Sequence, residues 1–521
     1  MLPEKTDPGS ARRTRKWATK TRTGCITCRD ASPPAATAKA TPSSGPRILI
    51  PPLSPPPPPP SPPSTTSRSP YERFALAQSQ AAIVALLALT RRSAAHEGGR
   101  GGGGLTDPDK EAILLACTLF TGLCCLQEDY EQAAQHAKAG NRLYWRWKYW
   151  RHSDDEDEEV QDEEDDDDDF TCTTRDYRAD NHGARRPGCV LTTKSLTAVF
   201  THFEMQFCSR FLSIDIPEWR WRDRAHRCSP APFAGAADAY TELQPLLTGY
   251  CHLGRWLSVP RAPAELVTVG HTVAAYAREM LTWRAKFAAL LDHQGASLST
   301  LPPPPSDDDE HEEDEEAYRI LCLRLLWMAL ETCFDQTEAT GEMVWDERTP
   351  TLERVTTFAE THFAARWHRR RRPSPSPSPS PPTATTNRSF TFSFVMSACE
   401  VLTWIGTNCR DGGVRRRLIA LLHGWPERDG IIDPRLLALV VHTVMVLEEN
   451  ATTGMQAPHE GCACEPGEDG AEGGGGKFIC ALHRVCLIDT QFLGERSATI
   501  VLTTTGMLKD GLPPYETSVS W

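Results

Sequence analysis

Thr407-Asn408-Cys409-Arg410-Asp411-Gly412-Gly413-Val414-Arg415-Arg416-Arg417-Leu418-Ile419-Ala420-Leu421-Leu422 is the stretch on which the fold turns. Helical patterning leads into it from Thr391 and out of it through Leu422. Cys409-Arg410-Asp411 closes the first helix, and Gly412-Gly413 permits the turn. Arg415, Arg416 and Arg417 then open the second helix, where the dipole disfavours cations. Such a start needs carboxylates to offset it, and Asp411, Asp429 and Asp433 are the candidates. Cys409, Arg410, Asp411, Arg415 and Arg416 are therefore read as structural, fold-determining residues. A ligand or partner site is the other use such cations have.

Working outward, Asp107-Pro108-Asp109 offers an N-cap with proline at the first helical position. Ile113, Leu114, Cys117, Leu119, Phe120, Leu123 and Leu126 follow at helical spacing. Residues 130–147 read as an antiparallel partner helix, with Ala133, Ala134, Ala137 and Leu143 inward and small enough for close packing. Helical patterns recur over 71–89, 196–211, 236–257, 264–292, 315–334, 352–367, 391–407, 414–422 and 434–449. The tail over 478–508 is rich in β-branched residues and is expected to hold short strands or a final helix. The fold class expected is all-α: one helical regulatory domain over 71–521.

That domain is interrupted. Between Asp154 and Asp169 every residue except Val160 and Gln161 is acidic. Proline and acid fill 302–316, Ser-Pro repeats follow four arginines in 369–388, and glycine and acid fill 455–476. These segments, and the whole of 153–187, are expected to be disordered, solvated insertions. Residues 31–70 form a proline-rich linker that cannot build a core. The net charge of −13 comes from the acidic run, and it argues against a protein that coats nucleic acid over its whole surface. No apolar stretch is long enough to span a membrane, and the first 30 residues lack the apolar region of a secretory signal. The 18 cysteines are scattered through apolar patterns, as small buried hydrophobes in a reducing compartment would be.

The N-terminal 30 residues are basic, and Lys20-Thr21-Arg22-Thr23-Gly24-Cys25-Ile26-Thr27-Cys28-Arg29 is their most informative part. Two cysteines with two residues between them can place both thiolates on one zinc, although a bare pair of this kind is weak evidence by itself. In this basic context the decapeptide resembles the opening of the fungal binuclear zinc cluster. In that family six cysteines hold two zinc ions, and a basic helix enters the major groove. The resemblance implies zinc as cofactor, Cys25 and Cys28 as metal ligands, and Lys20, Arg22 and Arg29 as DNA-contacting residues. It stops at Arg29. Asp30-Ala31-Ser32-Pro33-Pro34 replaces the expected basic run, and the next cysteine is Cys117. Residues 1–30 therefore read as a disordered remnant of a cluster truncated after its second cysteine, through a mis-joined exon or a real loss.

A second, independent resemblance lies in the body. Phe392-Ser393-Phe394, Cys409-Arg410-Asp411, Arg415-Arg416, Leu421-Leu422, Asp433 and Glu448-Glu449 follow the order and spacing of the helical fungal-specific transcription factor domain. Trp345-Asp346 falls where that family carries such a pair, and Ile432 stands where it usually has Trp. The two resemblances together imply a nuclear transcription regulator of RNA polymerase II genes, with DNA and a homo- or heterodimer mate as partners. They leave open a non-DNA-binding interaction or antagonist protein that pairs with an intact homologue.

Other constellations have simpler readings. Cys462 and Cys464, with Cys480, His483 and Cys486, are ligand types for a second zinc, but a loop beside buried cysteines accounts for them. Trp145-Arg146-Trp147-Lys148-Tyr149-Trp150 interleaves aromatics and cations, as a helix end packed on its own domain also does. Arg366 with Arg369 to Arg372 is either a nuclear import signal or a solvated charge run. No phosphate-cradling loop, nucleophile elbow or zinc-protease motif is present, so no enzyme is expected.

Overall fold

The structure is a computed structural model. It describes residues 105–147, 149, 186, 188–210, 227–257, 263–297, 315–334, 341–364, 391–393, 398–450, 478–494 and 496–521. All of these fall in the compact unit Ala88–Trp521; the other unit, Met1–Leu87, lies outside the described residues, as do the expected helix over 71–89 and most of the expected insertions.

The described part is mostly helical. In chain order it runs α1 (Asp107–Leu126), α2 (Tyr130–Arg146), α3 (Thr193–Arg210), α4 (Ala236–Leu257), α5 (Pro263–His293) and α6 (Glu315–Phe334). Then come α7 (Val344–Glu347), α8 (Thr349–Ala359), β1 (Thr391–Ser393), α9 (Ala398–Asn408), α10 (Gly412–Gly424), β2 (Glu427–Asp429) and α11 (Pro434–Glu449). The tail holds β3 (Val485–Gly494), β4 (Ser497–Thr504), α12 (Thr505–Asp510) and β5 (Tyr515–Ser520).

Local chemistry explains the principal boundaries. Thr106, one residue earlier than the sequence suggests, caps α1 through a reciprocal capping box with Asp109. Asp129 caps α2 by accepting from the Gln132 N–H. The two helices close on each other at Gly140, where an added Cβ would lie 2.8 Å from the Cys117 Cβ and from the Phe200 ring. Ala133, Ala134 and Ala137 are buried as expected; Leu143 is only partly so, and Tyr144 fills the inward position. The helix expected over 391–407 begins at Ala398 instead. Thr391–Ser393 pairs in parallel with Glu427–Asp429, a partner fixed only by the tertiary fold.

One large apolar core joins the helices, and Trp283 stacks between Phe287 (4.9 Å) and Trp327 (5.8 Å) at its centre. α11 is apolar around most of its circumference because it has two faces to bury. Leu437, Ala438 and Val441 enter the main core. Leu436, Val440, Val444 and Leu447 form a second core with Val485, Ala498, Ile500 and Leu502 of the tail. Each such aliphatic side chain contributes about 1.5–3 kcal/mol on burial.

The described residues are mostly helical, as expected, and the strands are confined to one short parallel pair and to the tail, where short strands are one of the two expectations. The tail forms a three-stranded antiparallel sheet of order β3-β4-β5, with alternate residues of β4 buried. Period-two alternation of β-branched residues is satisfied only when one face lies on α11. Among the described residues no helix is long and apolar enough to cross a membrane.

Candidate functional site

Two buried ion-pair junctions gather the charged residues of the motif-bearing segment. The first is centred on Glu448, at the last turn of α11. Its carboxylate accepts from Arg415 Nη2 at 2.5 Å, from Arg410 Nη2 at 3.1 Å and from the Val485 N–H at 2.8 Å. Arg410 also reaches Glu342 at 2.9 Å, and Arg415 Nε donates to the Gly406 carbonyl at 3.1 Å. An added Cβ on Gly406 would sit 2.7 Å from Val441, so α9 and α11 meet closely at this point. Burial alone would push the Glu448 carboxyl up. The guanidinium groups of Arg415 and Arg410 and the Val485 N–H more than offset this and hold it below the usual range. Glu342, more weakly compensated, is raised by burial. Alongside, Arg484 forks onto both oxygens of Asp346 at 2.8 and 2.6 Å, which ties the root of β3 to α7. Trp345 packs edge-on against Trp404, with ring centroids 5.1 Å apart.

These contacts change the expected pairing of the arginines. Asp411 caps α10 by accepting from the Val414 N–H at 2.8 Å. Gly412 and Gly413 occupy the first helical turn with ordinary backbone angles, and an added Cβ on Gly412 would crowd Arg416 and Glu449 at 2.7 and 2.9 Å. The carboxylates that offset the cations are glutamates: Glu448 for Arg415, Glu449 for Arg416 (3.3 Å), and Glu360 for Arg417 (2.5 Å). Asp429 and Asp433 serve elsewhere, because the turn that carries them follows the C-terminal end of α10, opposite the end that carries the arginines. Cys409 is fully buried, and burial raises its thiol.

The second junction is that turn, Arg428–Asp433, closed by Gly430 in the left-handed region at φ 56°. Arg428 donates to the Cys125 carbonyl at 3.0 Å and to Glu128 at 2.9 Å, at the tip of the α1–α2 hairpin. Arg496, in the β3–β4 turn, shares Glu128. Tyr130 donates to Asp433 at 2.7 Å, and the Cys125 thiol points to the Gly430 carbonyl at 3.1 Å. Asp429 takes His202 Nε2 at 2.8 Å with both side chains fully buried, and Gln206 bridges His202 and the Asp429 carbonyl. Burial lowers the imidazole, but the Asp429 charge and hydrogen bond, with a contribution from Glu400, raise it above its ordinary value. Ile432, 1% exposed, packs in the main core.

Between α3 and α4, Glu204 accepts from Trp145 Nε1 at 2.7 Å and meets His252 at 2.9 Å, with Cys208 beside the same ring. Trp145 thus packs on its own domain. The run 480–486 is a 3-10 turn followed by a strand, not a helix. Cys480 meets His483 at 3.2 Å, whereas Cys486 points to the Thr503 carbonyl at 3.4 Å. Cys462 and Cys464 lie outside the described residues. Among the described residues no group of three or more His, Cys, Asp or Glu side chains is disposed to hold a metal ion.

Comparison with family profiles, curated proteins and solved structures gives no match. Of the residues singled out in the sequence, Cys409, Arg410, Asp411, Arg415 and Arg416 come together around the α9–α10 corner. Cys25, Cys28, Lys20, Arg22 and Arg29 lie outside the described residues. Sequence reading missed Glu342, Arg484, His202 and Glu204 as buried polar groups. The available signal was polarity inside apolar runs, such as Arg484 in Ile479-Cys480-Ala481-Leu482-His483-Arg484-Val485. Chemically, both junctions have their carboxylates committed to guanidinium, imidazole, hydroxyl or N–H donors. Their work is to lock distant segments, and removing one partner strands a buried charge.

Proposed function

We propose that the chain is a transcription regulator of the fungal zinc-cluster class, acting in the nucleus on genes read by RNA polymerase II, with its regulatory function in the helical body. The observation that carries this reading is the order of motifs from both ends of one chain. A basic Cys25-x-x-Cys28 segment precedes a body with Cys409-Arg410-Asp411, Arg415-Arg416 and Glu448-Glu449 in family order. The meeting of Arg410, Arg415 and Glu448 in one junction supports reading the second set as a unit. Arg366, the arginines 369–372 and the Ser-Pro repeats supply an import signal in this reading. No catalysis is assigned.

The zinc cluster does not fit the residues present. Cys25 and Cys28 supply two thiolates, and each zinc of such a site needs four ligands. The next cysteine, Cys117, is 4% exposed on the inner face of α1. This favours a second reading within the same proposal: the chain does not read DNA itself and pairs with an intact homologue as partner or antagonist.

Gel-shift titration of the 521-residue protein with zinc tests the DNA arm. Binding without sequence selectivity, or none, is expected; tight, salt-sensitive, sequence-selective binding would restore a complete DNA reader. Purification from nuclear extract tests the pairing arm, since recovery without any zinc-cluster protein counts against it. Genomic sequence just past codon 29 separates the causes. A basic run with four more spaced cysteines there makes the chain an ordinary member with a mis-joined exon.

A further inference from the structure

The sheet that closes the tail has two unlike edges. β3 carries register shifts at Val485/Leu487 and at Phe492/Gly494, and Phe492 stacks on Tyr130 of α2 at 5.7 Å. That edge is bent by its two irregularities, one of the devices by which native sheets protect an edge. β5 is different. Tyr515-Glu516-Thr517-Ser518-Val519-Ser520 pairs with β4 in unbroken register and, among the described residues, has no strand on its other side. It holds no proline, no lysine and no bulge, the usual devices that keep an edge from pairing. Pro513 and Pro514 stop the strand just before Tyr515.

The register fixes which backbone groups face outward. Trp521 N–H donates to the Arg496 carbonyl, so Trp521 and Arg496 are a hydrogen-bonded pair. Alternation along an antiparallel ladder then makes Val519, Thr517 and Tyr515 the residues bonded to β4. Glu516, Ser518 and Ser520 turn their N–H and C=O groups to the open side, and their side chains are exposed.

We propose that β5 is a self-pairing surface: two copies of the chain join β5 to β5 about a two-fold axis at Ser518, making one six-stranded antiparallel sheet. The strand is complementary to itself in this register. Ser518 faces its own mate, and Glu516 faces Ser520 of the other copy on both sides of the axis. All the outward N–H and C=O groups are then used. On the sheet's other face Thr517 lies opposite Val519, and Tyr515 opposite Trp521, an aromatic cross-strand pair. A two-fold axis at Glu516 would set two carboxylates opposite each other, and one at Ser520 would leave most of the strand unpaired. The strand's single charge thus selects the register. A strand this short gives a small interface, so the dimer is concentration-dependent. The surface is independent of the zinc-cluster motif and of the DNA-reading question.

Sedimentation velocity of the full chain over a wide concentration range tests the proposal, with three variants. Ser518→Pro removes an N–H that points away from β4, so the fold is kept while association weakens by roughly tenfold or more. Ser518→Lys sets two ammonium groups across the axis and also favours the monomer. Ser520→Lys sets a cation opposite Glu516 of the other copy and shifts the equilibrium toward dimer, an effect that added salt reverses. Circular dichroism melts of the variants should match the parent, and Ser518→Lys decides the matter if Ser518→Pro does not fold. A chain monomeric at every concentration overturns the proposal. So does a dimer that both Ser518 variants leave unchanged.

Discussion

Arg415 and Glu448 lie 33 residues apart and meet at 2.5 Å with neither side chain exposed to solvent. Their contact closes α10 on α11, and through the Val485 N–H it anchors the first strand of the tail sheet. The exposed neighbour pair Arg416–Glu449 makes the same helix-to-helix connection at 3.3 Å, with Arg416 62% exposed. The two pairs form an internal comparison of a buried and a surface ion pair.

Glu448→Gln is expected to destabilise the chain by about 3–5 kcal/mol, because it strips the fully buried Arg415 of its counter-charge and leaves Arg410 with Glu342 alone. Glu449→Gln should cost about 0–1 kcal/mol. Urea unfolding of both variants, followed by circular dichroism, measures the difference. Equal effects of the two substitutions would mean that the Glu448 junction carries no special weight.

The His202–Asp429 pair sets a pH dependence of the opposite sign to that of Glu448. His202 is raised above 6.5, so its contribution is complete below that pH and is lost as pH rises through its folded value. Glu448 is held below 4.5, so its contribution is present above that pH and is lost as pH falls through its folded value. Stability should therefore fall on both sides of mildly acidic pH. Tyr240, Gln206 and Glu400 also face the imidazole, so His202→Gln should flatten the alkaline limb specifically. Urea midpoints from about pH 2 to about pH 9, running below the ordinary Glu value and above the ordinary His value, read both limbs. An unchanged alkaline limb in His202→Gln would remove His202 as its cause.

Gly140→Ala tests the close approach of α1 and α2. Its Cβ would meet both Cys117 and the Phe200 ring at 2.8 Å, neither of which has room to retreat in the core. A loss of about 1–3 kcal/mol is expected. Gly424→Ala is the control, since nothing lies within 4 Å of its added Cβ. It should be neutral or mildly stabilising, because alanine is the better helix former.

The adjacent thiols Cys124 and Cys125 should resist alkylation in the native chain. Burial and the Asp129 charge push Cys124 up to about 11, and burial with the Cys124 charge raises Cys125 further still. Iodoacetamide labelling at about pH 8, roughly three units below the Cys124 thiol and further still below Cys125, read by peptide mass spectrometry, should leave both unmodified until denaturant is added. Rapid native labelling of Cys125 would show that the α1–α2 tip opens away from Gly430.

The sequence by itself determined the helices, because period-3.6 apolar patterns, caps and prolines act within a few residues. Residues 236–257 and 315–334 read the same from pattern as they stand in the fold. It also marked Cys409, Arg410, Asp411, Arg415 and Arg416 as a corner whose cations need partners. The tertiary structure alone decided which partners. Glu448 is chosen over Asp429 and Asp433 because α11 packs along α9 and α10, whereas the Arg428–Asp433 turn is drawn to His202, Tyr130 and the α1–α2 tip. The same holds for the tail: alternating β-branched residues are compatible with strands, but a sheet forms only where α11 offers a second apolar face to cover one side. Local patterns fix elements through short-range backbone forces. Buried charges and sheet faces are fixed by neighbours outside any local window, from 33 residues away for Arg415 and Glu448 to 303 for Tyr130 and Asp433, and no local pattern encodes that distance.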